Sequence, residues 1–326
     1  MPADQTRLCR RTRNAFMNIL DEILARKRDE VVAAMRATPI DAVKAMAFVQ
    51  PPARSFASRL RAPDGHPARL IAEIKRKSPS AGPIAEIADP IDLARTYAAN
   101  GAAAISVLTD HHHFGGSLAD LRAVHDAVGV PILRKDFLFT EYQLWEARAA
   151  GADAALLIVA ALASGLGNPN GLEGLTSAAD SISPTPLRAL DHGPETRQPA
   201  GLSVARERLR HLMAVSRKAG LEVLVEVHDD AEAAVAADLR APIIGINNRN
   251  LATFVTSLAT TESVIGNMKL AAGHQPVIVS ESGVHDANAA SRMRKAGAHA
   301  ILVGEALVRS GDPAAKAREL SGKVAR

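Results

Sequence analysis

Two side chains of opposite charge, Glu73 and Lys75, lie two residues apart in the stretch IAEIKRKSPSAG (71–82). In a strand, positions i and i+2 share a face, so this apolar run carries a carboxylate beside an ammonium. Burying either group alone is costly. The pair reads either as a buried ion pair or as one wall of a reactive site. Pro79 ends the run, since a central strand does not tolerate proline, and Arg76, Lys77 and Ser78 open into a basic Ser/Pro/Gly loop. Other apolar runs end in the same manner. LRKDFLF supplies Lys135 and Phe137, and LVEVHD supplies Glu226. GINNRNL supplies Asn247 and Arg249, VSESGV supplies Glu281, Ser282 and Gly283, and LVGEAL supplies Gly304 and Glu305. The run at 104–108 leads into Thr109, Asp110 and Phe114. Lysines, glutamates, an asparagine and an arginine gathered at one rim would suit proton transfer on an anionic substrate.

Positioning these groups requires a repeating scaffold, and one phrase recurs. ANGAAAISVLTD (99–110), AAGADAALLIVA (149–160), KAGLEVLVEVHD (218–229) and KAGAHAILVGEA (295–306) each close a helical stretch with glycine and continue into an apolar run. The glycine suits the left-handed residue that ends a helix. Runs that are apolar throughout, without alternation, are expected of parallel strands covered by helices. Strands are expected at 70–75, 104–108, 132–135, 154–158, 222–227, 243–247, 277–281 and 300–304. Helical patterns fall at 90–99, 118–127, 140–150, 204–218, 230–237, 286–296 and 313–321. Eight such units predict an α/β fold closed as a (β/α)8 TIM barrel, with reactive residues at the C-terminal strand ends. An amphipathic helix at 14–35 precedes the barrel. The expected division is an N-terminal helical extension, residues 1–69, packed on a catalytic barrel of residues 70–326. Residues 163–203 are rich in Gly, Pro and Ser and break the rhythm, so they read as an inserted loop after strand 4.

The chain has 326 residues, 47% of them hydrophobic, and a net charge of +4. No apolar run reaches the roughly 18–20 residues of a membrane span, and a cytoplasmic location is expected. Arg7, Arg10, Arg11 and Arg13 resemble a transit peptide, but Asp21 and Glu22 follow closely, against that reading. The single cysteine, Cys9, excludes an intramolecular disulfide and a CxxC metal site. Basic residues are dispersed, which favours a small anionic substrate over nucleic acid. His111–His113 are adjacent in a loop and do not converge on one ion, so no metal is expected. GLGNPNG (165–171) matches no nucleotide-binding glycine pattern. A monomer is favoured.

The sequence resembles the indole-3-glycerol phosphate synthases. The resemblance rests on IAEIKRKSPSAG, ISVLTDHHHFGGS, PILRKDFLFTEYQLWEARAAGADAALLIVAAL, LEVLVEVHD, IGINNRNLATF, VSESGV and ILVGEALVRSGDP, in order along the barrel. The 163–203 segment is longer than the connection usual in the family. The resemblance implies a substrate bearing a phosphate and a carboxylate, 1-(2-carboxyphenylamino)-1-deoxyribulose 5-phosphate. It also implies ring closure, loss of CO2 and loss of water, without any cofactor. Lys135 would be the general acid of ring closure, with a pKa depressed by neighbouring cations. Lys75 would neutralise the departing carboxylate or act as acid in dehydration; which lysine serves which step stays open. Glu226 would be the base, Glu73 would bridge the lysines and hold a leaving hydroxyl, and Asn247 would orient Glu73. Phosphate would lie at Gly283, Gly304 and Glu305, with Ser78 and Lys77 closing the other side. Phe114, Phe137, Leu157 and Ile246 would pack on the anthranilate ring. Arg249 would bind the carboxylate or pair with Glu281, and Ser282 would support the site. Of the rival readings, phosphoribosylanthranilate isomerase would want a cysteine at a strand end, and a metal-dependent epimerase would want histidines and aspartates there. A non-catalytic ligand-binding barrel would have no need of Glu73, Lys75, Lys135, Glu226 and Asn247 together.

Overall fold

The computed structural model describes residues 19–78, 82–83, 89–165, 199–251 and 253–323. Eight strands, each parallel to the next, form a closed barrel: β1 (Arg69–Ile74), β2 (Ala102–Leu108), β3 (Ile132–Lys135), β4 (Ala154–Ile158), β5 (Glu222–Val227), β6 (Ile243–Asn247), β7 (Val277–Glu281) and β8 (Ala300–Val303). Neighbours in sequence are neighbours in space, and β8 returns to β1 with Ala72 opposite Val303. The strands are buried nearly throughout because helices cover their outer faces.

The helices run α1 (Ile19–Ala37), α2 (Ile40–Phe48), α3 (Phe56–Leu60), α4 (Pro90–Ala99), α5 (His111–Phe114), α6 (Leu118–Ala127), α7 (Glu141–Ala149), α8 (Val159–Ala163), α9 (Pro199–Ala219), α10 (Asp230–Asp238), α11 (Ala259–Asn267), α12 (Ala287–Ala296), α13 (Glu305–Val308) and α14 (Pro313–Ser321). Their starts are set by short polar caps, as expected where four backbone N–H groups lack partners. Asp89, Ser117, Asp229, Asp286 and Asp312 each accept a backbone N–H of the first turn, and Thr140 forms a reciprocal capping box with Gln143. Gly101, Gly151, Gly220 and Gly297, the glycines of the repeated phrase, all sit at positive φ.

Helix α9 begins at Pro199, so residues 199–203 are helical rather than part of the inserted loop, and Ala163 closes α8. The rest of that segment, 166–198, lies outside the described residues, as do residues 14–18 of the expected N-terminal helix. Helix α11 was not expected. Its ATTESVIGN sequence is rich in threonine and carries no apolar period.

The N-terminal elements embrace the barrel from one end to the other. At the bottom, the Arg54 N–H donates to Asp153 and its guanidinium to the carbonyls of His125, Val128 and Val130. Glu222 accepts from Ser55 and the Ala57 N–H, while Phe56 and Leu60 fill the barrel floor. At the top, α1 docks beside the ends of β2 and β3. Lys27, only 4% exposed, meets Asp110 at 2.8 Å and Asp136 at 3.1 Å.

Candidate active site

Glu73 and Lys75 face the mouth of the barrel and pair at 2.8 Å. On the opposite wall, Lys135 Nζ lies 3.1 Å from Glu226 and 2.9 Å from Glu281. Asn247 Nδ2 donates to Glu226 at 3.0 Å. Asn247 therefore orients Glu226, not Glu73 as expected. These side chains line a cavity of about 170 Å3, which Phe114, Phe137, Arg249, Ser282, Gly283, Gly304 and Glu305 also line. Phe114 and Phe137 stack obliquely, with ring centroids 6.3 Å apart.

Two glycines make room for two of the carboxylates. A Cβ on Gly245 would collide with Glu281 Oε1, and a Cβ on Gly304 would collide with Glu73 Oε1. Gly304 thus has a packing role in addition to any contact with ligand.

Electrostatics reverse one expectation. Burial alone would lower the pKa of Lys135, but Glu281, Glu226 and Glu73 outweigh it and hold the ammonium well above its ordinary value. The lysine is ringed by carboxylates rather than cations, so it is not depressed. Glu281 is pushed up to about 7 by burial, with Glu226 and Glu73 adding to the rise against the pull of Lys135. Burial would also raise Glu226, yet Lys135, His228 and the Asn247 hydrogen bond hold it well below the usual carboxylate range. Of Glu226 and Glu281, it is Glu281 whose titration is brought close to neutrality.

Several expected residues point elsewhere. Leu157 is fully buried and does not line the cavity; Leu156 and Ile158 do. Strand alternation explains the correction, because Leu157 faces the helix layer. Ile246, beside inward-facing Asn247, is displaced for the same reason. Lys77 donates to the His112 carbonyl at 2.5 Å and is not in the cavity wall. The Ser78 backbone pairs with Gly82, and its side chain lies outside what is described. Arg249 approaches Glu305 at 3.9 Å rather than Glu281. Glu305 also takes Arg309 at 3.0 Å, so its carboxylate is turned to cations and only its backbone N–H suits an anion. Thr109 donates to Asp136, and Asp110 caps α5 and pairs with Lys27, so both serve the α1 anchor.

Other residues at the site were not expected from sequence. Ile19, Leu20 and Ile23 of α1, together with Leu251, Phe254 and His285, complete the cavity wall. His228 stands 3.3 Å from Glu226; the i, i+2 spacing that joined Glu73 to Lys75 applies equally to Glu226 and His228. Ser282 adopts a left-handed φ of 65° and Gly283 follows at 82°. Such strain in a non-glycine residue persists only where its surroundings enforce it. Here Asn248 donates to the Ser282 carbonyl and to Ser280, while Thr261 donates back to Asn248.

The sequence model of one family, described as indole-3-glycerol phosphate synthase, matches residues 20–192 and 202–320. The chain belongs to the indole-3-glycerol phosphate synthase family. The synthase of Roseiflexus castenholzii is 42% identical over 312 residues, covering 94% of this chain and 99% of that protein. A Nocardioides synthase is 42% identical over 307 residues, and an Azoarcus synthase 43% identical over 307, each with 94% of this chain and 99% of the relative covered. The family's activity, decarboxylating ring closure to indole-3-glycerol phosphate, belongs to tryptophan biosynthesis.

Proposed function

We propose that this chain converts 1-(2-carboxyphenylamino)-1-deoxyribulose 5-phosphate to indole-3-glycerol phosphate, CO2 and water at the mouth of its barrel. The observation that carries the residue assignment is Lys135 held between Glu226 and Glu281, across one cavity from the Glu73–Lys75 pair. The oblique Phe114–Phe137 pair offers the aromatic wall for the anthranilate ring. Arg249 and Lys75 are cations on the same cavity, suited to the substrate carboxylate.

Lys135 donates a proton to the carbonyl oxygen as the ring closes. Its raised pKa does not forbid this, because the oxygen gains alkoxide basicity only as the new C–C bond forms. Proton transfer is then concerted with demand, as general acid catalysis requires. Loss of neutral CO2 leaves the electron pair of the broken C–C bond in the ring, where it neutralises the cation formed on ring closure, and Lys75 holds the carboxylate until departure. Dehydration needs an acid for the leaving hydroxyl and a base for the proton that restores aromaticity; Glu226, kept ionised, is the base. Glu73 holds Lys75 in place. The phosphate belongs at the strained Ser282–Gly283 turn and beside Gly304, where backbone N–H groups can approach an anion closely.

Incubation with the substrate tests the reading, with indole fluorescence as the signal. Purified protein should develop it, and Lys135→Ala should lose roughly 10²–10⁴-fold in kcat. A folded protein that yields no fluorescence would overturn the activity. Every step is a proton transfer, a C–C bond change or loss of hydroxide, so EDTA followed by dialysis should leave turnover unchanged; a loss restored by a divalent ion would count against the cofactor-free reading.

A further inference from the structure

Strand β5 continues past Glu226 through Val227 to His228, which shares the face of Glu226. The His228 side chain is only 6% exposed, and its Nε2 stands 3.3 Å from Glu226 Oε1. Its Nδ1 stands 3.0 Å from Glu232 Oε2 on the first turn of α10. The same Glu232 oxygen accepts the His228 backbone N–H at 2.8 Å. Glu232 is fully buried and fixed in turn by Asp229, which accepts the Glu232 N–H at 2.9 Å. A row of carboxylate, imidazole and carboxylate thus runs from the helix layer to the reacting cavity. An imidazole flanked by carboxylates on both ring nitrogens satisfies both only when each nitrogen carries hydrogen. The outer contact is well formed, whereas buried Nε2 makes no fully aligned hydrogen bond. The inner contact is therefore the one able to tighten as charge on Glu226 changes.

We infer that His228, braced by Glu232, is a positioning residue for the reaction: it aims an Nε2–H at Glu226 Oε1 and keeps that base ionised and turned toward substrate. The inference rests on Glu226 being the base. Other groups face Glu226 as well: Lys135 from β3 and Asn247 from β6 at hydrogen-bond distance, and Glu281 from β7, which shares Lys135 with it. Lys135 and Asn247 also face the cavity, whereas His228 is absent from its wall and acts from behind. Removing His228 deletes the Nε2–H aimed at Glu226, so the ionised base loses a donor that holds it in place.

The test measures kcat and KM separately for His228→Asn and Glu232→Gln. Each should lower kcat roughly 10–100-fold, as loss of a partner that orients a reacting group does. KM should stay near the wild-type value, and Glu232→Asp should recover part of the loss. A fall in kcat with an equal rise in KM, or no recovery in Glu232→Asp, would make the histidine merely structural and overturn the inference. Should the variants fail to fold, 15N spectra of histidine-labelled native enzyme decide: hydrogen on Nε2 at the pH of full activity is required, and a bare Nε2 refutes it. Glu226→Gln separates this inference from the reading beneath it. Wild-type turnover in Glu226→Gln would remove Glu226 as base. A dead Glu226→Gln beside a fully active His228→Asn would remove only the role of His228.

Discussion

Lys135 is surrounded by more negative charge than it can balance, and this governs what its loss does. Lys135→Met leaves Glu226 and Glu281 buried without their shared cation. Breaking a buried ion pair from one side costs about 3–5 kcal/mol. The loss should be largest at about pH 8 and shrink toward about pH 5, where the stranded carboxylates protonate. Thermal melts across that range, run beside the kinetics, check this; a flat difference would mean that the carboxylates are solvated rather than stranded. Glu281 carries a second pH signature. Its ordinary value is 4.5 and the fold raises it to about 7. Between those values the folded state holds a proton that the unfolded chain has released, so stability falls as pH rises through the window. Glu281→Gln should remove that slope, and its melting temperature relative to wild type should climb from about pH 5 to about pH 8. Gly245→Ala would set a methyl group against Glu281 Oε1. Overpacking of this kind costs about 1–3 kcal/mol, and displacement of Glu281 should lower kcat as well. A variant with unchanged kcat would show that the carboxylate has room to move.

Strand β3 is an element with two faces of different purpose. Lys135 points into the barrel, while its neighbours Arg134 and Asp136 form the ionic mount for α1 and α7. Lys27→Met should leave Asp110 and Asp136 facing each other with Arg134 as the remaining nearby cation, at a cost of about 3–5 kcal/mol. Because Ile19, Leu20 and Ile23 on the same helix line the cavity, KM should rise together with the fall in melting temperature. A stability loss with unchanged KM would separate the helix from the site. The strands were legible in sequence because unbroken buried runs bounded by glycine have few other meanings. Their orientation was not. A run such as ALLI has no alternation, so nothing in it distinguishes inward Leu156 and Ile158 from outward Leu157. The gathering of polar groups at the strand ends was legible because they break an apolar run. Charge balance was not, since Glu281 reaches Lys135 from a strand distant in sequence, and a depressed lysine was expected where a raised one is found. Helix α11 escaped notice because its place is fixed by the Thr261–Asn248–Ser280 hydrogen bonds rather than by an apolar stripe.

At the scale of the whole molecule, the scaffold holds itself on both sides of residues 166–198. Arg208 on α9 donates to the carbonyls of Leu162 and Ser164, joining the described flanks directly. Replacing 166–198 with a short Gly/Ser link should therefore leave the melting temperature within a few degrees, since closure entropy changes slowly with loop length. Unfolding of that variant would make the segment part of the core, and a change confined to KM would tie it to substrate entry.

Closure of the barrel also sets a schedule. Strand β1, with Glu73, is synthesised early, yet one of its partners is β8, which ends at Val303. Gly304, whose bare backbone leaves room for the Glu73 carboxylate, arrives with that same final strand. At roughly 5–20 residues per second, a ribosome leaves β1 with an unpaired edge for roughly ten seconds or longer, and such an edge is a template for wrong pairing. A chain halted before residue 300 already holds both lysines, Glu226, Asn247 and Glu281, but has no closed mouth in which to assemble them. Turnover in a crude extract would therefore count completed molecules, not translated ones.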